Sequence, residues 1–361
     1  MRRIAEKSVK SATISDVARK AGVSIATVSY VMNGTKHIQK ETVDKVYQAI
    51  RQLNYQPSMA ARSLMTKSTQ IIGVLVSDIS NPFFSPIVRG IEDIASKIGY
   101  VVMVGNSDEE YSKMRKYIDV LAGHRVDGLI ISPISGFEEL ETTLKSLDMP
   151  MVLVNRRVQG IQADIVETDN ELGAYQAIQH LCSLGHKRIA LISGPTEVST
   201  YSDRLNGYKK ALAQVGLPEE EELIRIGQYD YASGYRICRE LFGLPNKPSA
   251  IFVSSGWLAQ GVFLAVRESG IKVPEELSLV MYDETEWAPL VDPPLTTVAQ
   301  DTYKMGQLAA ILLLNKLGKQ LDNEMCVEWD HYMKGSKRSE DRYTIRLSPR
   351  LIVRDSTMRK G

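Results

Sequence analysis

From residue 71 onward the chain repeats one pattern: a short, mostly apolar run, a polar loop, then a stretch with helical apolar spacing. The runs Ile71–Val76, Val101–Val104, Gly128–Ile131 and Met151–Val154 make one series, and Ile189–Ile192, Ala250–Val253 and Leu277–Met281 a second. Runs of this length suit parallel strands covered on both faces. Ile87–Ile98, Glu171–Leu184, Leu205–Val215 and Trp257–Ser269 supply the covering helices. This βα alternation specifies an α/β architecture. Two series, with a break near Asp164–Asn170, specify two lobes and a cleft at the carboxyl ends of their strands.

The length of 361 residues exceeds one compact domain of ordinary size, and the first 70 residues differ from the rest. They hold twelve Lys/Arg against four Asp/Glu; of the chain's 44 and 43, that leaves 32 against 39. The net charge of +1 therefore conceals a basic head on a mildly acidic body, which suits a phosphate-facing module. No run of about 18 apolar residues is present to span a bilayer. No apolar segment follows the basic residues between Met1 and Lys10, so no secretory signal is expected. Cys182, Cys238 and Cys326 lack metal-ligand spacing and read as reduced thiols of a cytoplasmic protein without metal or cofactor.

Within the head, Thr13 and Asp16 are spaced as a capping box, and Ile14, Val17, Ala18 and Ala21 make one apolar stripe. Gly22 supplies a tight turn. Ser24 caps a second helix, Ile25–Met32, whose inward face is Val28, Val31 and Met32; Asn33 and Gly34 end it. A third helix, Lys40–Leu53, carries Val43, Val46, Ile50 and Leu53 on one side. These are the parts of a helix-turn-helix DNA reader. The second helix turns Ile25, Ala26, Ser29 and Tyr30 to solvent. An exposed Ile suits packing on a thymine methyl, while Thr27, Ser29 and Asn33 suit phosphate contacts.

The segment 13–34, TISDVARKAGVSIATVSYVMNG, resembles the head of the LacI/GalR family of bacterial regulators, and 53–64, LNYQPSMAARSL, resembles that family's hinge. The resemblance implies base reading by Ile25, Ala26 and Tyr30, with Ser24 at the helix start in the major groove. Tyr30 departs from the family's common Arg, which binds guanine through two hydrogen bonds, so the operator base at that position stays open. The resemblance also implies paired hinge helices in the minor groove, with Ser58 as cap, Ala61 allowing close approach, Arg62 beside it and Leu64 as the apolar wedge.

Family signatures continue through the body: 79–84 (ISNPFF), 124–128 (HRVDG), 184–189 (LGHKRI), 203–208 (DRLNGY) and 293–298 (PPLTTV). They imply a type I periplasmic-binding-protein-like two-lobed body behind a lambda-repressor-like all-α head. The expected domains are a head at 1–56, a hinge and linker at 57–70, and a body at 71–361. The first lobe takes about 71–166 and 301–326, the second about 167–299 and 327–356. Later crossings between lobes are placed near Thr297–Asp301 and Cys326–Glu328. The charged segment from Asp330 to Pro349 exceeds the family's usual length and reads as a strand extension with an exposed loop.

Asp78, Asn81 and Phe84 follow the first strand, at a natural cleft position. Arg204 and Asp283 match family positions that hold sugar hydroxyls or anionic groups, and Trp257 offers an aromatic plate. Where the family usually carries an Asn-Asp pair after the strand at 250–253, this chain has Ser254, Ser255, Gly256 and Trp257. The effector is therefore a sugar or related metabolite by resemblance alone. A non-sugar ligand or a phosphoprotein corepressor remains the alternative.

One reading helix covers half a site, so a homodimer on a pseudo-palindromic double-stranded operator is expected, with repression as the family default. A C-terminal tetramerising heptad is missing. No Walker loop, HExxH or complete nucleophile elbow occurs, so no enzyme and no membrane partner are expected. A transport-type binding protein would have no use for the head. A constitutive DNA binder would have no use for the cleft.

Overall fold

The computed structural model describes residues 12–33, 36–55, 68–134, 138–335, 337–339 and 342–360. The chain divides into two compact units, Met1–Thr69 and Gln70–Gly361. Among the described residues no helix is long and apolar enough to cross a membrane, and no His/Cys/Asp/Glu group is placed to hold a metal.

Among the described residues the first unit contains three helices. α1, Ile14–Ala21, opens on the expected capping box: the Asp16 N–H donates to Thr13 Oγ1 at 3.3 Å, and the Thr13 N–H donates to Asp16 Oδ2 at 3.0 Å. These Thr13 hydrogen bonds lower the Asp16 carboxyl below its ordinary value. Gly22 closes the helix in the left-handed region at φ 68°, where a side chain would be strained. α2, Ile25–Asn33, runs one residue past the expected end, and α3 spans Lys40–Leu53. Val17, Ala18, Val28, Val31, Val46 and Ala49 form a small buried core. Gly34 and the hinge residues Ser58, Ala61, Arg62 and Leu64 lie outside the described residues.

Among the described residues the second unit holds two sheets. The strands are β1 Ile71–Val76, β2 Val101–Asn106, β3 Gly128–Ile131, β4 Met151–Val154, β5 Asp164–Thr168, β6 Ile189–Ser193, β7 Ile224–Ile226, β8 Ala250–Val253, β9 Ser278–Tyr282, β10 Thr296–Ala299, β11 Lys337–Ser339, β12 Arg342–Leu347 and β13 Arg350–Ile352. The first sheet runs β11-β12-β5-β4-β3-β1-β2 and the second β13-β10-β9-β8-β6-β7. Pairing is parallel except at β11/β12 and β13/β10. The helices are α4 Phe84–Lys97, α5 Tyr111–Gly123, α6 Glu138–Lys145, α7 Asn170–Ser183, α8 Ser199–Gln214, α9 Tyr231–Phe242, α10 Gly256–Ser269, α11 Thr302–Lys316 and α12 Asn323–Gly335. α11 returns to the first lobe and packs on α4 so closely that a Cβ on Gly306 would stand 2.0 Å from the Ile87 carbonyl oxygen.

β5 went unseen in the apolar pattern because two of its five buried residues are acidic. Asp164 meets Lys316 at 3.2 Å and accepts the Tyr343 N–H at 2.7 Å. Glu167 accepts from Arg157 at 2.5 Å and Arg346 at 2.8 Å. Partners distant in sequence let these carboxylates stay buried.

The third crossing corrects the expectation. α12, β11 and β12 remain with the first lobe, and this crossing comes at Ser348 and Pro349, between β12 and β13. α12 starts where the Met325 N–H donates to Asp322 Oδ1 at 2.8 Å. It buries Met325 in the first-lobe core and sets Trp329 edge-on to Tyr343, ring centres 5.7 Å apart. Those apolar anchors hold the segment where its charge suggested a loop. Among the described residues of Asp330–Pro349 the structure shows the end of α12 and two strands, while residues 336 and 340–341 lie outside the described residues.

Candidate DNA interface and ligand cleft

α2 has two different faces. Val28 and Val31 are buried, whereas Ile25 is 50% exposed and Ala26 is exposed. Ser24 Oγ accepts the Thr27 N–H at 3.1 Å and lies 2.9 Å from the Thr27 hydroxyl, so the helix start is capped by neutral groups. Thr27 and Ser29 are half-buried. Tyr30 is also half-buried, with Lys36 Nζ 4.4 Å from its ring centre, so ring and charge are presented together. No charged residue interrupts α2 itself. The side chain of Asn33 lies outside the described residues.

In the second unit a cleft of about 660 Å³ opens between the loop after β1 and the 283–290 loop with the start of α10. Asn81, expected from its place after β1, Trp257, expected as an aromatic plate, and Asp283, expected from the family resemblance, all line it. Asn81 Oδ1 accepts the Phe83 N–H at 3.0 Å and shapes the loop. Trp257 follows Ser255, whose hydroxyl caps α10 by accepting the Leu258 N–H at 3.4 Å. Asp283 sits at φ 78°, a strained value for a non-glycine residue, and such strain concentrates at functional sites. Its carboxylate accepts the Gly256 N–H at 3.1 Å and Gln300 Nε2 at 2.6 Å.

Three assigned residues sit elsewhere. Asp78 is turned to its own loop, accepting the Ser80 N–H at 2.9 Å and hydroxyl at 2.6 Å. Phe84 is only 2% exposed and belongs to the first-lobe core; Phe83, edge-on to it at 5.1 Å, lines the cleft instead. The cause is helix phase: α4 buries Phe84, Ile87, Ile91 and Ile94 along one stripe. Arg204 is 4% exposed and lies behind the cleft. It donates to Asn170 Oδ1 at 2.9 Å and the Ser254 carbonyl at 2.5 Å, with its guanidinium 3.6 Å from the centre of the Tyr282 ring.

A second set of inter-lobe residues was not anticipated. Arg156 pairs with Glu109 at 2.9 Å and lies 5.3 Å from the Tyr229 ring centre, beside Tyr201. Arg157 donates through Nη2 to both Asp203 oxygens at 2.7 Å, and its backbone N–H donates to Ser199 Oγ at 3.0 Å. These contacts tie the loop after β4 to α8. Burial raises the phenols of Tyr201, Tyr229 and Tyr282 above ordinary tyrosine values, so they stay neutral near pH 7. The position of Arg156 and Arg157 just after a strand was a usable signal, since the same rule had selected Asp78. Ser77 Oγ, Ser132 Oγ, Asn155 Oδ1 and Thr168 Oγ1 are buried without a hydrogen-bond partner among the described residues, all at carboxyl strand ends.

Comparison with known proteins agrees with both halves. The family model described as bacterial regulatory proteins, lacI family, matches residues 13–58, and the periplasmic binding protein-like domain matches 178–357. The chain is 37% identical over 320 residues to catabolite control protein A of Priestia megaterium, covering 88% of this chain and 96% of that protein. It is 32% identical over 347 residues to the transcriptional repressor PurR of Photobacterium profundum, covering 96% and 98%. Among solved structures it is similar to the lac repressor dimer bound to operator and the anti-inducer ONPF, with a TM-score of 0.80 at 28% identity, covering 97% of this chain and 100% of that one. It is also similar to the regulator CelR in complex with cellobiose, with a TM-score of 0.69 at 29% identity, covering 96% and 99%.

Proposed function

The chain belongs to the LacI family of bacterial regulatory proteins, and on that footing we propose how its own residues perform the family's work of effector-controlled repression. Ile25, Ala26 and Tyr30 read base edges in the major groove, while Ser24, Thr27, Ser29 and Asn33 settle α2 against phosphates and its groove walls. The observation that carries this is the split face of α2: a half-exposed Ile25 beside buried Val28 and Val31. A solvated helix face gains nothing from an Ile, whereas a thymine methyl is an apolar partner for one. Lys36 adds a cation beside Tyr30, suited to a phosphate.

Two copies pair through the first-lobe edge and together bind a pseudo-palindromic operator. β2 ends its sheet, and Val101, Met103 and Val104 on it, with Tyr117 and Val120 on α5, are between 39% and 62% exposed. An apolar edge strand of this kind is covered in a working protein, here by its copy. The hinge residues Ser58, Ala61, Arg62 and Leu64 then fold in the minor groove. A small molecule in the cleft changes the angle between lobes, and so the spacing of the paired hinges, with a coupling of about 1–3 kcal/mol. We assign the protein to the cytoplasm and give it no catalytic role.

Selection of genomic fragments by the purified protein tests this reading. Enriched sequences should share a two-fold symmetric site, with affinity falling steeply as salt rises. Failure to enrich any symmetric sequence at low salt, with and without metabolite extract, overturns it.

A further inference from the structure

We infer that the cleft is built for an organic cation: a protonated amine or quaternary ammonium carried on an apolar or aromatic body. The inference rests on the cleft being the effector site and names the class of effector. Phe83, Trp257 and Trp287 supply aromatic surface to its walls, and Asp283, Glu284 and Glu286 supply carboxylates. Among the described residues no Lys, Arg or His lines it. Aromatic faces attract cations through the ring quadrupole, most strongly for tryptophan, and do so best where water is partly excluded.

The carboxylates are not equivalent. Glu284 is neutralised, because Arg354 donates to it at 2.5 and 3.0 Å and the Thr297 hydroxyl also donates to it. Asp283 is held only by neutral donors, the Gly256 N–H and the Gln300 amide. Glu286 is exposed on the same loop, and among the described residues neither it nor Asp283 has an ion-pair partner. Two features oppose a cation, and both are spent elsewhere. The positive start of α10 is capped by Asp283 itself, and Arg204 turns its donors to Asn170 and Ser254 behind the wall. Two carboxylates without an ion-pair partner among the described residues therefore line a volume within the range of small-molecule sites.

Other ligand classes are served poorly. Cellobiose occupies the related CelR, but the serines after β8 in this chain have little left for sugar hydroxyls. Ser254 Oγ donates to Ser193 Oγ at 2.9 Å, and Ser255 Oγ caps α10. An anion would meet Asp283 and Glu286 with no counter-charge on the wall.

The test uses three probes of similar shape: 2-phenylethylammonium, 2-phenylethanol and 3-phenylpropionate. Each is titrated into the full chain while tryptophan fluorescence is followed, since Trp257 and Trp287 line the cleft and Trp329 packs against Tyr343. The ammonium should bind at least about tenfold more tightly than the alcohol, and the carboxylate most weakly. Trp257→Leu and Glu286→Gln should each weaken ammonium binding while leaving the alcohol nearly unchanged for Glu286→Gln. Glu286 is exposed, so that variant keeps the fold. Alcohol or carboxylate binding as tightly as the ammonium overturns the cation assignment. If those probes also shift operator affinity, the effector cleft itself stands. Binding by none of the three overturns the assignment too, and operator retention across a panel of neutral sugars then decides the fate of the cleft reading separately.

Discussion

Asp203→Asn should loosen the closure of one lobe on the other without unfolding either. In the native chain Arg157 Nη2 reaches both Asp203 oxygens at 2.7 Å, across from the loop after β4 to α8. At an effective dielectric near 20, opposite charges about 4 Å apart attract by about 4 kcal/mol. The side chains remain 35% and 22% exposed, so screening and desolvation remove much of that. Arg157 also keeps Glu167 as a partner. A net loss of about 1–2 kcal/mol remains, which shifts the balance between lobe arrangements about five- to thirtyfold. Operator affinity and its response to ligand should both move by a factor in that range, while the urea midpoint shifts little. Arg89→Ala is the control: its partners Glu92 and Asp93 are reached only along one exposed helix, and neither operator affinity nor its ligand response should change. Unchanged operator affinity and ligand response in Asp203→Asn would refute the idea that this bridge biases the lobes.

Ile25→Ala should leave stability intact, because the side chain is half exposed, yet relax selection at one operator base pair by about 1–3 kcal/mol in competition with single-site operator variants. Equal loss on every sequence would instead assign Ile25 to non-specific packing. Gly306→Ala should destabilise the second unit by about 3 kcal/mol in urea, because the new Cβ meets backbone that only a shift of α11 can clear. A change below about 1 kcal/mol would show that α4 and α11 slide freely. Burial lowers the His186 pKa below 6.5, so the unfolded chain takes up its proton first as pH falls. Stability should then be full above pH 6.5 and decline below it, and His186→Gln should flatten that decline in pH-dependent urea melts. A decline of equal steepness in the variant would place the titrating group elsewhere.

The sequence made the head legible almost to the residue, because its core is local: a capping box, a left-handed glycine and one stripe per helix decide it. The parallel strands β1 to β4 were legible for a similar reason, being apolar on both faces. β5 was not, since Asp164 and Glu167 are buried only by virtue of Lys316, Arg157 and Arg346, and no local pattern reports partners so distant. α12 was missed because its anchors Met325, Trp329 and Tyr332 are diluted by charge, which read as loop. In the cleft, Asn81 was legible because it follows a strand and Trp257 because it offers an aromatic plate, whereas Asp283 came from the family resemblance. Phe84 was misplaced because the helix was expected to begin after Pro86, whereas proline in a first turn is tolerated and α4 begins two residues before it. That shift turns Phe84 inward and leaves Phe83 in the cleft.

One carboxylate joins the ligand wall to the pivot between lobes. Gln300 lies on the second crossing, between β10 and α11, and a small cavity lined by Ala299, Gln300, Asp301, Ser348 and Arg350 sets this crossing beside the third. The Gln300 amide holds Asp283 at 2.6 Å, and Asp283 in turn holds the start of α10, next to Trp257. A ligand cation drawn to Asp283 competes with that amide, so occupancy of the cleft is felt at a residue on the crossing between lobes. A ligand moves a conformational equilibrium only by what it gains in one arrangement over the other, and this shared carboxylate is where such a difference can arise. Gln300→Met removes the competing donor while keeping the side chain's length. It should tighten or preserve cation binding and weaken the resulting shift in operator affinity, measured by titrating operator with and without 2-phenylethylammonium. If the variant binds the cation and passes the full shift to the operator, the path from cleft to pivot runs through other residues.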